Sequence, residues 1–342
     1  MDATLVDGVV RAGHQARERF YDSSGYGRPV DDGEIELAPV EAAYLLYRGD
    51  LASVDGMGFQ SLLGSAVVSE VDFFVYSDLR SRGFYLSPAW PDRVENAAGC
   101  DFVVYPRGKG PWDDDVAYRI TVVSERETVP AGTLGECALA VVDEESEISY
   151  FRTARPDVSG TSQTTVPDTS GELLADRVVC WDPPAALYEQ AFYGQPIDEQ
   201  DPDAVQLSLV EAAYLADTGT LRVEDGADAV TERGRSVEGE RFDRRLAVYE
   251  TLREQGIAPK TGFKFGADFR TYAAIESVEN LGHSERLVRV FDAGHAFEAR
   301  DLALDVRLAH GVRKTMVYAF VGAVADGRDA DIDWLVVERL TP

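Results

Sequence analysis

Lysine is almost absent from this chain, and cysteine is scarce. Of the 33 basic residues only four are lysine, against 61 acidic residues, and the formal net charge is −28. The three cysteines lie far apart and form no CxxC pair, which argues against a zinc site and a disulfide framework. No segment approaches the roughly 18 apolar residues that a membrane-spanning helix needs, and the amino terminus does not resemble a signal peptide. These absences favour a cytoplasmic protein in a reducing compartment.

The acidic, lysine-poor composition indicates a host with a salty cytoplasm. At about 1 M salt the screening length falls to roughly 3 Å, so a large charge of one sign costs little stability and favours solubility. An acidic protein from a low-salt host is the alternative. The charge is uneven, because residues 238–342 carry 15 basic and 18 acidic residues and the remainder a net charge of −25. A polyanion could dock on that near-neutral third, and lower exposure of the region explains the balance equally well.

The chain repeats itself in the same order along its length. Four pairs of segments match: YGRPV (26–30) with YGQPI (193–197), LAPVEAAYLL (37–46) with LSLVEAAYLA (207–216), VYSDLRSRG (75–83) with VYETLREQG (248–256), and DFVVY (101–105) with DFRTY (268–272). Their offsets are 167, 170, 173 and 167 residues. Ordered matches at a nearly constant offset predict an internal duplication.

Each copy divides into an amphipathic helical block around VEAAYL and a later region of helix and strands. The predicted subdomains are 1–65 and 66–155 in the first repeat, and 173–237 and 238–342 in the second. Residues 156–172 between them are rich in Ser, Thr, Gly and Pro, which is typical of a linker. The expected fold class is therefore α/β (α+β), as a tandem duplication in which a small helical subdomain precedes a mixed-sheet subdomain.

Local patterns give a coarse map of the last subdomain. Phe242, Leu246, Tyr249 and Leu252 repeat at helical spacing, and Gly256 ends that helix. Strands are expected at 264–272, 285–290, 315–324 and 332–339, and a helix at 298–310.

Three side chains at the ends of these elements have the chemistry needed to cleave RNA. Tyr272 ends GFKFGADFRTY, His283 opens HSERLVRV, and Lys314 ends RLAHGVRK. The 2′-oxygen of RNA can attack the adjacent phosphorus if a base, an acid and a cation surround the phosphate. Imidazole, with a pKa of about 6.5, suits the acid, and an ammonium suits the phosphate oxygens. A phenol, with a pKa of about 10, acts as the base only if cations such as Lys314 and Arg313 lower that pKa.

Ordinary structural roles explain each of these residues taken alone. A tyrosine that ends a strand is usually a packed aromatic, and a histidine or lysine near a turn is usually solvated. Two other functions are open: a noncatalytic RNA-binding or assembly subunit, and a metal-dependent junction nuclease. The second would commonly place a carboxylate two residues before a lysine, and no lysine of this chain has one there. The absence of GxxxxGK[ST] and GxGxxG argues against a nucleotide-dependent enzyme.

The three motifs, in this order and separation, resemble the signature blocks of the archaeal tRNA-splicing endonuclease family. The resemblance is strong over 172–342 and weaker but collinear over the first half, and the VEAAYL block resembles the family's N-terminal domain. It implies a nuclease-like α/β catalytic subdomain without metal or cofactor. By this resemblance Tyr272 is the general base, His283 the general acid, and Lys314 the cation that stabilises the transition state. The implied substrate is precursor tRNA with a bulge–helix–bulge, cut to a 2′,3′-cyclic phosphate and a 5′-hydroxyl.

The resemblance also predicts how the two repeats divide the work. Tyr105 matches Tyr272, but Asp115 stands opposite His283 and Glu136 near Lys314, so the first repeat is expected to be catalytically inactive. The family implies a homodimer of two-repeat chains, in which an acidic loop of a noncatalytic unit enters a basic cleft. DEESE (143–147) is the expected loop, through Asp143, Glu144, Glu145 and Glu147, and an ordinary solvated turn is its alternative. The residues expected to contact RNA are Arg307, Arg313, Arg328 and Trp334.

Overall fold

The computed structural model describes residues 1–30, 33–89, 99–113, 115–162, 164–198, 201–323 and 330–342. Its backbone contacts divide the chain into two compact units. The first unit comprises Met1–Ala154 together with Ala296–Leu304 and Glu338–Pro342, and the second comprises Arg155–His295 and Asp305–Val337. Within the described ranges, no helix is long enough and apolar enough to cross a membrane.

Within the described residues, the first half of the chain contains three α-helices, one five-stranded sheet and five strands of a second sheet. Its elements are β1 Asp2–Val6, β2 Val9–Ala12, a π-helix Arg17–Asp22, β3 Arg28–Pro29, β4 Ile35–Leu37, α1 Pro39–Tyr47, β5 Ser53–Val54, α2 Phe59–Leu63, α3 Glu70–Ser81, β6 Leu86–Pro88, β7 Phe102–Val104, β8 Tyr118–Ser124, β9 Thr128–Pro130, a 3₁₀ turn Ala131–Thr133, β10 Ala138–Val142 and β11 Ile148–Ala154. One sheet has the order β3-β4-β2-β1-β5, and in the other β6, β7, β8, β10 and β11 are neighbours in that order.

The second half repeats this layout. Its elements are β12 Thr169–Leu173, β13 Arg177–Trp181, α4 Ala185–Glu189, β14 Gln195–Asp198, β15 Asp201–Ser208, α5 Leu209–Asp217, β16 Leu221–Val223, α6 Ala227–Glu238, α7 Glu240–Glu254, β17 Ala258–Thr261, a 3₁₀ turn Phe263–Phe265, β18 Phe269–Tyr272, β19 Arg286–Asp292, β20 Ala296–Glu298, α8 Ala299–Gly311, β21 Thr315–Val321 and β22 Ile332–Leu340. The sheet orders are β14-β15-β13-β12-β16 and β17-β18-β19-β21-β22, which match those of the first half strand for strand.

The two halves share their buried polar contacts as well as their strand order. Glu41 accepts hydrogen bonds from the backbone N–H groups of Gly27 and Ala38, both at 2.7 Å. Glu211 accepts from the equivalent groups of Gly194 and Ser208, at 3.0 and 3.1 Å. In each case the carboxylate at the third helical position satisfies a backbone donor at its own helix start and a second donor in a glycine turn.

A buried arginine is repeated in the same way. The Arg80 guanidinium lies 3.7 Å from the ring centroid of Tyr26, and that of Arg253 lies 3.8 Å from Tyr193. Such agreement in sheet order, capping and aromatic contact confirms the predicted duplication, because unrelated domains would not share all three.

Two expectations need correction. The first subdomain of each repeat is not only helical, since it also contains a five-stranded sheet. These strands are mostly two to five residues long, too short to show a clear alternation of apolar and polar residues. Residues 264–272 are not one strand either, because Phe263–Phe265 forms a 3₁₀ turn and β18 begins at Phe269. The described residues of the expected linker, 156–162 and 164–168, are free of regular structure, and its end belongs to β12.

The remaining expectations for the last subdomain agree with the structure to within a few residues. Helices α7 and α8 and strands β19, β21 and β22 occur where the sequence predicts them. Strand β21 is buried along almost its whole length, as its continuous apolar run predicts. The mixed α/β class of the chain is confirmed.

Candidate active site

Strand register brings the ends of three neighbouring strands of the second repeat to one edge. Thr271 pairs with Arg286, and Arg286 pairs with Thr315. Glu285 continues the row, because its N–H donates to the carbonyl of Thr271 at 3.1 Å and its own carbonyl accepts from Thr315 at 3.0 Å. Adjacent strands are about 4.8 Å apart. Tyr272, at the end of β18, and Lys314, just before β21, therefore lie near the same edge, with the segment that precedes β19 between them.

Tyr272 is held by aromatic packing. Its ring is 7% exposed and meets the ring of Phe192 edge-on, with the centroids 5.5 Å apart. The guanidinium of Arg270, two residues earlier on the same strand, lies 5.9 Å from the centroid of Tyr272. The phenol ring is therefore fixed in direction, with the guanidinium of Arg270 near it.

Lys314 is held at its position by Ser284. Its Nζ donates to the carbonyl oxygen of Ser284 at 2.5 Å and to the hydroxyl at 2.6 Å. The ammonium also lies 5.5 Å from the ring centroid of Phe265. Burial lowers the pKa of Lys314, and the charge of Arg270 lowers it further. Among the residues described here Lys314 has no carboxylate partner, so its charge is available to an anionic ligand.

His283 is exposed and directly precedes the buried Ser284. It lies in a segment without regular structure at the same edge of the sheet, and no side-chain bond joins it to another described residue. Ser284 thus connects the segment of the imidazole with the ammonium of Lys314. Nothing in the sequence singles out Ser284 or Arg270 except their closeness to His283 and Tyr272.

At the same edge of the first repeat, the described positions equivalent to His283 and Lys314 carry no cation. Ala117 donates to Val104 at 2.9 Å, which corresponds to the Glu285–Thr271 bond of the second repeat. From this bond, Asp115 stands at the position of His283. From the pairing of β8 with β10, Gly135 stands at the position of Lys314, with Glu136 beside it. Asp115 and Glu136 are both exposed.

Tyr105, the counterpart of Tyr272, is satisfied within the fold. Its hydroxyl donates to the Ser87 hydroxyl at 3.0 Å, and burial raises its pKa. The first repeat therefore keeps the phenol and has acidic side chains or glycine where the other two groups would be. Such an edge repels a phosphate.

Three of the four residues expected to contact RNA lie within the described residues, each on a different element. Arg307 is exposed on α8, and Arg313 is exposed in the turn before β21, where its φ of 58° is in the left-handed region. Trp334 is half-buried on β22 and packs against the core of the second repeat. Arg328 lies outside the described residues.

The expected acidic loop is a tight turn between β10 and β11. Asp143 accepts from the backbone N–H groups of Glu145 and Glu147 at 3.0 and 2.9 Å. Glu144 forms an ion pair with Arg126 at 2.6 Å, and Glu144, Glu145 and Glu147 are all exposed. The turn thus presents several carboxylates on a fixed backbone.

A cavity of about 590 Å³ in the second repeat is lined by five basic residues and by the acidic residues Asp176, Glu211 and Glu238. We call it the basic cavity, and its cationic lining residues are Arg177, Arg245, Lys260, Lys264 and Arg270. Lys260 is buried and forms an ion pair with Glu211 at 3.0 Å. Burial alone would raise the pKa of Glu211, but Lys260 and the backbone donors hold it below its usual value. Lys264 is exposed and has no carboxylate partner within the described part of the chain.

Sequence comparisons identify both kinds of subdomain. A profile described as the catalytic C-terminal domain of tRNA intron endonuclease matches residues 242–334. A second profile, described as the N-terminal domain of tRNA intron endonuclease, matches twice, at residues 1–63 and 169–234. The double match agrees with the duplication seen in the fold.

Full-length relatives carry the same family name. The chain is 69% identical to the tRNA-splicing endonuclease of Haloarcula marismortui and 53% identical to that of Haloferax volcanii, with all of each chain covered. It is 36% identical to the tRNA-splicing endonuclease of Methanococcoides burtonii over 99% of both chains. The first two organisms are haloarchaea, which agrees with the acidic composition. By profile match and by full-length identity, the chain belongs to the tRNA intron endonuclease family.

Proposed function

We propose that this chain excises introns from precursor tRNA by cutting at bulge–helix–bulge splice sites, without a metal ion. The proposal rests on Tyr272, His283 and Lys314 lying at the same edge of the sheet. There a phenol, an exposed imidazole and an ammonium without a carboxylate partner among the described residues stand at or beside the ends of neighbouring strands. The family of the chain and the names of its relatives support RNA as the class of substrate.

The reaction uses the nucleophile that RNA itself carries. Tyr272 accepts the proton of the 2′-hydroxyl, and the 2′-oxygen forms a bond to the adjacent phosphorus. The bond from phosphorus to the 5′-oxygen breaks, and His283 gives that oxygen its proton. Lys314 faces the nonbridging oxygens, where negative charge increases in the transition state. The products are a 2′,3′-cyclic phosphate and a 5′-hydroxyl.

Proton transfer from the 2′-hydroxyl sets a requirement on Tyr272. A phenol has a reference pKa of about 10 and must lose a proton to act as a base. Arg270, whose guanidinium lies 5.9 Å from the ring centroid of Tyr272, is the cation on the same strand. Packing against Phe192 keeps the ring from turning away.

End analysis of the cleaved RNA tests this chemistry. A hairpin with two three-nucleotide bulges is incubated with the full chain in molar salt and EDTA, and both new ends are identified by mass spectrometry. We expect a 2′,3′-cyclic phosphate and a 5′-hydroxyl. A 3′-hydroxyl with a 5′-phosphate, or activity that requires a divalent ion, contradicts the proposal.

We also propose that two chains pair, with the acidic turn at 143–147 of one chain bound in the basic cavity of the other. The support is complementary charge: three exposed glutamates on a fixed turn face outward, and the cavity presents Lys264 and Arg270 without carboxylate partners among the described residues. In a chain of net charge −28 such cations are rare. For RNA contacts, Arg307, Arg313, Arg328 and Trp334 remain the residues we propose.

A further inference from the structure

The 3₁₀ turn Phe263–Phe265 connects three features of the second repeat. Phe265 lies near the ammonium of Lys314, Lys264 lines the basic cavity, and Phe263 lines a different depression. Successive side chains of a 3₁₀ helix project about 120° apart, which explains the three directions. Two glycines fix the turn: a Cβ on Gly262 would lie 2.8 Å from the carbonyl of Ala267, and Gly266 has a φ of 68°.

The depression beside Phe263 has the chemistry of a nucleotide site. It has a volume of about 520 Å³, and we call it the arginine groove after Arg241, Arg244 and Arg289, which line it together with Phe263 and Phe291. Two carboxylates, Asp268 and Asp292, also line the groove. This volume is within the usual range of about 300–1,000 Å³ for ligand sites. Phe263 is 86% exposed, although burial of a phenylalanine side chain stabilises a fold by roughly 1.5–3 kcal/mol. Its ring is therefore placed for contact with something other than this chain.

Arg244 is the cation of the arginine groove that the fold leaves unused. Arg241 and Arg289 form ion pairs with Asp268 and Asp305. Arg244 has no ion pair, and its buried Nε has no hydrogen-bond partner, among the residues that the structure describes. A buried N–H without a partner costs about 1–3 kcal/mol. Arg244 also lines the groove without a carboxylate partner among the described residues, so its charge is available to an anion there.

The first repeat shows that the fold does not need these arginines. Val290 donates to Asp268 at 2.9 Å and Val122 to Asp101 at 2.7 Å, so the two repeats are in the same register here. The register and the 173-residue offset of the helices give the counterparts of the three groove arginines, which are Val68, Val71 and Thr121. All three are uncharged. The groove cations are thus present only in the repeat that carries His283 and Lys314.

We propose that the arginine groove binds an unpaired nucleotide of the RNA substrate, with its base stacked on Phe263 and its phosphate on Arg244. The inference rests on the proposed function, because it names a subsite for the same RNA. RNA offers both a flat apolar face and an anion, which fits an exposed ring next to an unpaired guanidinium. Base stacking does not depend on counterion release, so it keeps its strength in salt that weakens phosphate contacts.

Equilibrium binding tests the groove separately from cleavage. Fluorescence anisotropy with a labelled bulged hairpin is measured on a His283→Ala parent, which does not consume the RNA, over a range of KCl concentrations. Phe263→Ala is expected to weaken binding about 10-fold with the salt slope unchanged, and Phe263→Trp to restore it. Arg244→Gln is expected to reduce the slope of log affinity against log salt by about one unit. Trp181→Ala and Arg222→Gln, on an exposed aromatic and an exposed cation elsewhere in the same repeat, are the matched controls.

The alternative outcomes are distinct. If the parent binds the hairpin and neither groove substitution changes affinity or salt slope, the groove is not a nucleotide site. If Phe263→Ala lowers the molecular mass measured by light scattering, the groove is a protein interface, and the inference is wrong. A parent that binds no RNA contradicts the proposed function and the groove together. Thermal unfolding of each variant excludes loss of the fold as the cause.

Discussion

The Lys314 ammonium donates hydrogen bonds to both oxygens of Ser284, at 2.5 Å to the carbonyl and 2.6 Å to the hydroxyl. Lys314 precedes β21 and Ser284 precedes β19, so these bonds tie the cation to the segment that carries His283. The positions of cation and imidazole are therefore coupled.

Replacement of Ser284 by alanine tests this coupling. The carbonyl contact survives and the hydroxyl contact is lost, so Lys314 should lose its fixed position. A hydrogen bond to a charged group contributes about 1.5–3 kcal/mol, and we expect kcat to fall roughly 10-fold or more with little change in KM. Ser284→Thr, which keeps the hydroxyl, should retain most of the activity. Equal losses in both variants would mean that packing, and not the hydroxyl, is what matters.

The duplication supplies a matched control for the proposed base. Tyr272→Phe removes the phenol hydroxyl at the catalytic edge and is expected to lower the single-turnover cleavage rate about 10²–10⁴-fold. Tyr105→Phe removes the equivalent hydroxyl of the first repeat, which donates a hydrogen bond to Ser87. We expect that variant to cleave at the parent rate. A comparable loss in both would indicate that the hydroxyls stabilise the fold and that Tyr272 is not the base.

The alkaline limb of the pH–rate profile should report Lys314. Burial and then Arg270 lower its pKa, so its charge is lost at a lower pH than for an exposed lysine. Because only the ammonium stabilises the phosphate, the rate falls as pH rises through that pKa. Arg270→Gln removes one of the two causes, raises the pKa of Lys314 and should shift the limb to higher pH. Arg270→Lys should leave the limb in place.

Arg286→Gln is the control for that shift. Arg286 is not among the groups that change the pKa of Lys314. Because side chains alternate along a strand, the side chain of Arg286 lies on the opposite face from that of its neighbour Glu285. We expect its pH profile to match that of the parent. An unshifted limb in Arg270→Gln would assign the alkaline loss of rate to another group.

Much of the second repeat could be predicted from sequence, for identifiable reasons. Strand β21 is a continuous apolar run and α7 has a clear helical period with a glycine stop, so each pattern has one interpretation. Tyr272 and Lys314 stand at the ends of such elements, which makes their common edge predictable once the strands are known to be neighbours. That neighbour relation depends on pairing between segments far apart in sequence, and only the structure reveals it.

Other features carry no usable sequence signal. The alternation in Phe263–Phe265 looks like a strand, and the left-handed backbone of Gly266 is what ends it as a 3₁₀ turn. Ser284 is an ordinary serine until its contact with Lys314 is known. The unpaired state of Arg244 depends on which carboxylates its neighbours have already engaged, and this cannot be derived from composition.

The buried ion pair of Lys260 and Glu211 should contribute strongly to the free energy of unfolding of the second repeat. Both side chains are less than a tenth exposed, and the pair spans two subdomains of one repeat. Lys260→Met leaves Glu211 buried without its cation and is expected to lower the free energy of unfolding by about 3–5 kcal/mol. Lys109→Met breaks an exposed pair with Asp113 and should cost under about 1 kcal/mol. Denaturant unfolding in molar KCl measures both.

The pH dependence of that pair follows from the lowered pKa of Glu211. A carboxyl whose folded-state pKa lies below its unfolded value of about 4.3 stabilises the fold above that pH, and the contribution is lost as pH falls through the folded-state pKa. The difference in unfolding free energy between the parent and Glu211→Gln should therefore be largest near neutral pH and shrink in acid. A difference that does not change with pH would show that packing of the side chain, and not its charge, is responsible.

Charge reversal in the acidic turn tests the proposed pairing of two chains. Glu145 and Glu147 are exposed, and neither takes part in the ion pair of Arg126 with Glu144. Their substitution therefore leaves that ion pair intact. In the double variant Glu145→Lys, Glu147→Lys, the turn should repel the basic cavity of a second copy. Light scattering should then show that the dimer dissociates at a protein concentration at least about 10-fold higher than that of the parent. Adding Lys264→Glu should restore part of the dimer, because the opposing charges are then exchanged. Asp225→Lys, an exposed reversal in another turn, should leave the mass unchanged. If the parent itself is monomeric in molar salt, or if Lys264→Glu deepens the defect, the turn does not bind where we place it.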